Sequence, residues 1–572
     1  MENEESGGAS NELSDLLEVG TPRDEPSVQA AVIPEFRDTA SEVGIGFQRF
    51  NDTIPERYFL PEVMGGGVAW FDFDGDLDMD LYATDGCTLW ETLPAQTDHV
   101  NRMFRSDGSG SFTEIAAESG SADNRFGQGC AVGDFNADGF PDLYLANYGR
   151  NTLLANNGDG TFRDITQQSE TGCEAWSTSV VWFDANADDL PDLYVVNYVN
   201  LTPSNHQVCT YGGIPGYCGP GQWDGVADVL YLNQGDGRFT PSPGREMPDS
   251  KFAKGLAVAV CDFNSDRRPE VYVANDMMPN FLLTSDGPAA DGDPNFHNVA
   301  DAAGCAVSSD GRNEASMGVA CADFDNDGQV DIFLTHYFHH KNTLYRNLGS
   351  LLFEDASYRS RIAATSFDSL GFGTAAFDAD LDGDEDLFIA NGHVLGPLHQ
   401  PNEMKPQLLQ NDGHGRFDDI SDRVGGYFHE LCIGRGVGSG DYDDDGRVDL
   451  AINHLDRTLA VLHNETAGHR NFIGIDLMPK NRVYPVGAQV TITAGSLRRL
   501  VPIVAGGSYL SSGDPRIVVG LGDYDGPVDI DIMWPGGETT GYTGLQRNRY
   551  WRLREARSQP VSDQSVIRGA AK

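Results

Sequence analysis

One nine-residue pattern recurs seven times along this chain, with oxygen-bearing side chains at positions 1, 3, 5 and 9. The copies fall on Asp72, Asp74, Asp76 and Asp80; Asp134, Asn136, Asp138 and Asp142; Asp184, Asn186, Asp188 and Asp192; Asp262, Asn264, Asp266 and Glu270; Asp323, Asp325, Asp327 and Asp331; Asp378, Asp380, Asp382 and Asp386; and Asp441, Asp443, Asp445 and Asp449. Alternating carboxylates before a sharp turn wrap several oxygens around one hard cation, the physical logic of a calcium loop. Of the 28 positions, 25 are Asp or Glu and three are Asn, a density of charge that repels itself without a cation. The expected cofactor is therefore Ca2+, at four to seven ions. The copies are 50 to 78 residues apart, which makes each one supersecondary unit stacked on its neighbours.

Each unit reads as a glycine-rich strand, the acidic loop, an apolar strand such as Asp142–Asn147, then a third and a fourth strand joined by a Gly-Asp-Gly turn. Fourth strands are expected near Phe112, Phe162, Phe239, Phe296, Phe353 and Phe417. Four short antiparallel strands, repeated seven times, describe a seven-bladed β-propeller in an all-β chain. The last unit lacks its fourth strand, and the stretch from Phe36 supplies one with no acidic loop before it. An N-terminal strand completing the last blade would remove an exposed sheet edge. The chain then divides into an acidic, disordered tail over 1–30, the propeller over 31–468, a small β-sandwich-like domain over 469–555 and a frayed tail over 556–572. Six strands are expected in the third part, at Phe472–Leu477, Ala488–Ala494, Arg498–Val504, Arg516–Leu521, Val528–Trp534 and Arg549–Leu553.

The formal charge of −48 is largely local to the loops, and such a surface repels nucleic acid and anionic membranes. No apolar run approaches the roughly 18 residues that span a bilayer. No signal peptide is visible at the start. Nine cysteines are too few for a disulfide scaffold, but Cys209 and Cys218 bracket a Gly/Pro-rich loop and are expected to pair, which implies an oxidising compartment. Cys130, Cys261 and Cys321 sit in apolar strands and read as small core residues.

The acidic loops with Asn-Gly-Asp-Gly-x-Phe tails resemble FG-GAP repeats, also known as VCBS repeats, as in the integrin α-subunit propeller. The run from Gly487 to Gly495, the segment Gly506–Ser511 and Trp534-Pro535-Gly536-Gly537 resemble the ASPIC/UnbV domain. That pairing is the arrangement of the cartilage acidic protein family, and it covers roughly residues 36–555. The resemblance implies a secreted, periplasmic or cell-surface calcium-binding propeller with an interaction role and no defined catalytic activity.

Loop position 6 is Gly139, Gly328, Gly383 and Gly446 in four copies but Leu77, Asp189 and Arg267 in the others, where a positive φ is harder to adopt. The first loop is expected to be distorted, and the loop at Asp262, which ends in Glu270, to be the weakest. All seven loops should share one face. Thirteen residues on from each loop start stand Asp85, Asn147, Asn197, Asn275, His336, Asn391 and His454, either a polar ring at the mouth of the opposite face or strand-end turn chemistry. Long insertions on that face carry Trp90, Tyr211, Tyr217 and Trp223, and a protein or glycan ligand is expected there. The His336, His339 and His340 group reads as a solvated loop rather than a transition-metal site. No Ser/His/Asp, Cys/His or phosphate-loop arrangement is legible, so the function read from sequence is a calcium-binding interaction or adhesion module. The alternative is a calcium-dependent enzyme or accessory protein acting on polysaccharide or a natural-product intermediate at the same face.

Overall fold

The computed structural model describes residues 32–89, 99–242, 253–288, 292–468, 470–480 and 484–555. The two expected tails and Trp90 lie outside those residues. Among the described residues, seven antiparallel sheets each carry one acidic loop between their first and second strands. Their first strands are Val68–Phe71, Phe126–Gly133, Ser177–Phe183, Gly255–Cys261, Ser316–Ala322, Gly371–Phe377 and Gly434–Gly440, and the sheets are numbered I to VII in that order. Sheet II shows the pattern in full, with Phe126–Gly133, Asp142–Tyr148, Thr152–Asn156 and Phe162–Asp164 hydrogen-bonded in sequence order. The fourth strands of sheets I to VI begin at the six phenylalanines expected, Phe112 through Phe417. The fourth strand of sheet VII is Phe36–Asp38, with Phe36 opposite Asn464 and Asp38 opposite Leu462.

First strands of successive sheets touch one another around a closed cycle, VII against I included. Trp70 closes that last joint by donating its Nε1–H to the Gly438 carbonyl at 3.2 Å. Glycine recurs in these strands because space is short. A Cβ on Gly129 would lie 2.4 Å from the Thr178 carbonyl oxygen of the next sheet, and one on Gly373 would lie 2.3 Å from that of Arg435.

The C-terminal part packs two sheets face to face. One orders Ile517–Gly522, Asn471–Met478 and Tyr550–Arg554; the other orders Leu497–Pro502, Gln489–Ala494, Val528–Met533 and Thr539–Leu545. Ile473, Ile475, Val490, Ile492, Ile530, Ile532 and Trp534 form their shared core. The strand Thr539–Leu545 was not anticipated, because Gly541 and Gly544 interrupt its alternation.

This second unit is not separate from the ring. Between its two sheets the chain leaves at Ile503 and runs down the central channel to Pro515, paired with first strands on several sides. Gly507 N–H donates to Val258 O, Ser508 and Val319 exchange hydrogen bonds, Cys130 N–H donates to Leu510 O, Ser512 and sheet I exchange bonds through Val68 O and Trp70 N–H, and Asp514 N–H donates to Ser439 O. Ala505–Gly506 adds a short fifth strand to sheet IV. The segment takes positive φ at Gly506, Gly507, Ser508 and Leu510. A Cβ at Gly506 would meet the Val258 carbonyl oxygen at 2.6 Å, so glycine there is a requirement of close approach. From the opposite end the turn Leu60–Val63 enters the channel, and the two meet where Tyr509 Oη donates to Met64 O at 2.6 Å. Phe59, Leu60, Trp176, Leu256, Phe372 and Tyr509 fill the space between.

Candidate metal centre

The seven acidic loops adopt one conformation. In each, the first aspartate accepts the position 5 N–H on Oδ1 and the position 6 N–H on Oδ2, at 2.7–3.1 Å. Position 6 has φ between +67° and +96° in all of them, Leu77 and Arg267 included. Position 4 is left-handed as well, at Gly75, Ala137, Ala187, Ser265, Asn326, Leu381 and Asp444. The strain of roughly 1–2 kcal/mol per L-residue is therefore accepted rather than avoided, and the first loop is not distorted relative to the rest.

What separates the loops is position 3. Where it is aspartate, three carboxylates gather with oxygens within 4.8 Å of one another: Asp72, Asp74 and Asp80; Asp323, Asp325 and Asp327; Asp378, Asp380 and Asp382; Asp441, Asp443 and Asp449. Where it is Asn136, Asn186 or Asn264, the carboxamide instead bonds Asp138, Asp188 or Asp266 at 2.9, 3.0 and 3.2 Å. Asp74 Oδ1 and Asp443 Oδ1 are buried oxygens with no hydrogen-bond donor. A hard divalent cation fits this donor set of several carboxylate oxygens in a flexible loop. His463, beside Asp443 and Asp445, joins the last cluster and was not anticipated.

Position 9 lies deepest. Burial pushes Asp80 up to about 9 and Asp142, Asp331 and Glu270 up to about 8, while Asp192, Asp386 and Asp449 are raised strongly for the same reason. The folded chain thus binds these protons more tightly than the unfolded chain does. Their stabilisation is complete below the unfolded carboxylate pKa near 4 and is lost as pH rises towards 8–9. Metal-free protein is expected to melt at progressively lower temperature from pH 5 to 8.5, whereas saturating calcium flattens or reverses that trend. Parallel melting curves for the two forms would overturn it.

The asparagine that ends the third strand has a role visible only in three dimensions. Asn156, Asn233, Asn347, Asn411 and Asn464 each donate N–H to their own position 9 carboxylate at 2.8 Å. Their Nδ2 groups reach a position 2 carbonyl in an adjacent sheet, at Phe73, Phe135, Phe263, Phe324 and Ala379, over 2.7–3.0 Å. The acidic loops are thereby laced to one another around the ring. Sheets I and IV carry Ser106 and Ser285 at this place.

The C-terminal unit sits on this same face. Arg516 reaches Asp444 at 2.6 Å, Arg499 pairs with Asp384, Tyr550 Oη donates to Asp441 Oδ2 at 2.6 Å, and Gly520 N–H donates to Asp378 Oδ2 at 3.1 Å.

On the opposite face, of the two readings of the seven strand-end residues, a polar ring at an open mouth is not what they form. Asp85, Asn147, Asn197, Asn275, His336, Asn391 and His454 are all buried. Their side chains serve the connection to the third strand: Asn147 Nδ2 donates to Arg150 O, Asn197 Nδ2 to Ala227 O and Asn275 Nδ2 to Pro279 O. Strand-end chemistry accounts for them. Tyr217 and Trp223 are likewise buried, since the insertion folds back on the channel turn and Tyr217 Oη donates to Glu62 at 2.6 Å. Tyr211 is exposed, on the hairpin Cys209–Tyr211 and Ile214–Gly216 that the Cys209–Cys218 disulfide closes.

The FG-GAP-like repeat model matches residues 90–145, 134–195, 262–334 and 323–389, and the ASPIC and UnbV model matches 479–560. Cartilage acidic protein 1 of Homo sapiens is 26% identical over 298 residues, which is 50% of this chain and 42% of the human protein. The Xenopus tropicalis protein of the same name is 26% identical over 303 residues, 51% of this chain and 43% of its own length. The match thus spans less than half of those relatives. Among solved structures, an Agrocybe aegerita lectin with specific recognition of non-reducing terminal N-acetylglucosamine aligns at TM-score 0.35 and 12% identity, over 69% of this chain and 86% of the lectin. BBS1N, solved in complex with ARL6DN, aligns at 0.40 and 9%, over 70% and 93%.

Proposed function

The chain joins FG-GAP-like repeats to an ASPIC and UnbV domain and is homologous over half its length to cartilage acidic protein 1, and from that premise we propose an extracytoplasmic interaction module stabilised by calcium. The observation that carries the metal is the repeated gathering of three carboxylates in one loop conformation, with buried oxygens at Asp74 and Asp443 that lack a donor. The disulfide supports an oxidising compartment, and no helix among the described residues is long and apolar enough to cross a membrane.

Calcium does not take the partner. It ties the loops, the loops tie the ring, and the face opposite is left to display side chains. Val208, Tyr211, Ile214, Met277, Leu398 and Leu431 are large apolar groups exposed on the connections of that face, and a protein partner fits such anchors. Catalysis there has less support. Glu62, raised by burial, already accepts hydrogen bonds from Tyr217 and Arg57.

Thermal unfolding with excess calcium and with chelator, beside an ion count by native mass spectrometry, tests the reading. Each ion contributes about 2.7 kcal/mol at 100-fold excess over its dissociation constant. Four to seven bound ions and a fall of at least about 10 °C on chelation are expected. No bound ion and no shift would remove calcium from the account.

A further inference from the structure

A cavity of about 330 Å3 lies where sheets V and VI meet, between the Asp323 loop and the turn that joins Asn411 to Phe417. It is unusual for this chain. In a molecule of net charge −48, its wall presents Arg346, Arg359, Arg416 and His414 beside the carboxylates of Asp325 and Asp331. Among the described residues, no carboxylate pairs with the side chain of Arg416 or His414. Arg359 stands on the exposed Glu354 at 2.5 Å. Arg346 is held elsewhere: it pairs with Asp325, lies 2.8 Å from Asp327 and is 3.7 Å from Glu354.

Asp325 and Asp327 are positions 3 and 5 of the acidic loop, and with Asp323 they form one of the gathered carboxylate clusters. One guanidinium and one divalent cation therefore compete for the same oxygens. A cation there would take Asp325 and Asp327 from Arg346, leave that side chain on the cavity wall with Glu354 at 3.7 Å, and bring two units of positive charge to the cavity's edge. Gly415 holds the neighbouring turn against the loop, its ideal Cβ position 3.2 Å from Asp325 Cβ, so His414 and Arg416 are kept beside the exchange.

We propose that this cavity is a calcium-dependent site for a tetrahedral oxyanion carried on a molecule of sugar size, a sulfate or phosphate ester. Arg346, Arg359 and Arg416 supply the fork-shaped donors that such oxygens accept in pairs. The volume matches the lower end of small-molecule pockets. Without the cation, Asp323, Asp325, Asp327, Asp331 and Glu354 outnumber the three arginines, and the overall field of the chain repels an anion. With it, two of those negative charges are cancelled and the arginines face the cavity with less opposing charge. The site rests on the calcium reading above.

The test is titration calorimetry on the full chain with glucose 6-sulfate and glucose 6-phosphate, glucose serving as the neutral control, in calcium and in chelator. Bound calcium is counted on the same samples. The expected result is binding of at least one ester in calcium, at least tenfold weaker binding in chelator, and none for glucose. Arg416→Ala and Arg359→Ala are exposed changes and should each weaken binding at least tenfold while the calcium count stays the same. The preferred ester identifies which oxyanion the site takes. Ester binding unaffected by chelator, or unaffected by Arg416→Ala, would overturn the proposal. Calcium bound at the loops with no ester binding would overturn it and leave the calcium reading standing. No bound calcium would remove both.

Discussion

Tyr509→Ala is expected to destabilise the whole chain by about 3–5 kcal/mol, the range for truncating a buried aromatic, although Tyr509 belongs to the C-terminal unit. Its ring is fully buried and sits 4.9 Å from that of Phe372 in sheet VI. Its hydroxyl caps Met64 O, the point at which the two channel segments meet. Truncation therefore empties the axis of the ring at the place where no sheet can relax inward, because first strands already touch on both sides. Tyr509→Phe keeps the volume and should lose only about 1–2 kcal/mol, the penalty of one unpaired buried carbonyl. Denaturant unfolding followed by fluorescence reads both. If Tyr509→Ala lost less than about 1 kcal/mol, the channel segment would be an ornament on a self-sufficient ring.

The second large effect is expected at Arg435. This side chain is completely buried in the first strand of sheet VII, and no carboxylate pairs with it among the described residues. Its guanidinium instead donates to four carbonyls: Val63 at 2.8 Å, Gly434 at 2.7 Å, Gly392 at 3.1 Å and His393 at 3.2 Å. It also lies 3.9 Å from the centre of the Phe372 ring. Burial without a counter-ion lowers its pKa to about 9, which still leaves it charged at neutral pH. The cation thus joins the ends of two sheets to the channel turn, and Arg435→Ala strands several acceptors at once. A loss of about 3–5 kcal/mol is expected, at 1–3 kcal/mol per stranded group with partial rescue by water. Arg435→Lys should recover little of it, since one ammonium cannot reproduce a planar fork. A lysine variant as stable as the native chain would show that charge alone, and not the fork, is what the site needs.

Much of the ring could be read from sequence because its signals are local. The acidic pattern sets the spacing, a phenylalanine opens each fourth strand from Phe112 to Phe417, and Phe36 stands before a unit that lacks its own. The channel segment left no such signal. Gly506-Gly507-Ser508-Tyr509-Leu510-Ser511 carries the resemblance to the ASPIC/UnbV domain but no helical or strand alternation, and its partners are backbone amides and carbonyls of strands far away in sequence. Those strands announce it only indirectly, through glycines such as Gly67, where a Cβ would fall 2.1 Å from Leu510 O. The asparagines that end the third strands carried no sign in the sequence of tying sheets together, since that hydrogen bond depends on ring geometry. Tyr217 and Trp223 misled for the converse reason: an aromatic in an insertion looks exposed until the insertion is seen to fold onto the channel turn.

The pairing of Phe36–Asp38 with Ala460–Asn464 also bears on when this protein becomes itself. Arg37 and its partner Glu465 are 428 residues apart. At 5–20 residues per second, a ribosome needs on the order of 20–90 s to pass from one to the other. Through that interval the strand Phe36–Asp38 has no mate, and the channel segment is made only after all seven first strands. Sheets I to VI hold their four strands in sequence order and can pair as they emerge, so the edges left open to other chains are those of Phe36–Asp38 and, until the two meet, Ala460–Asn464.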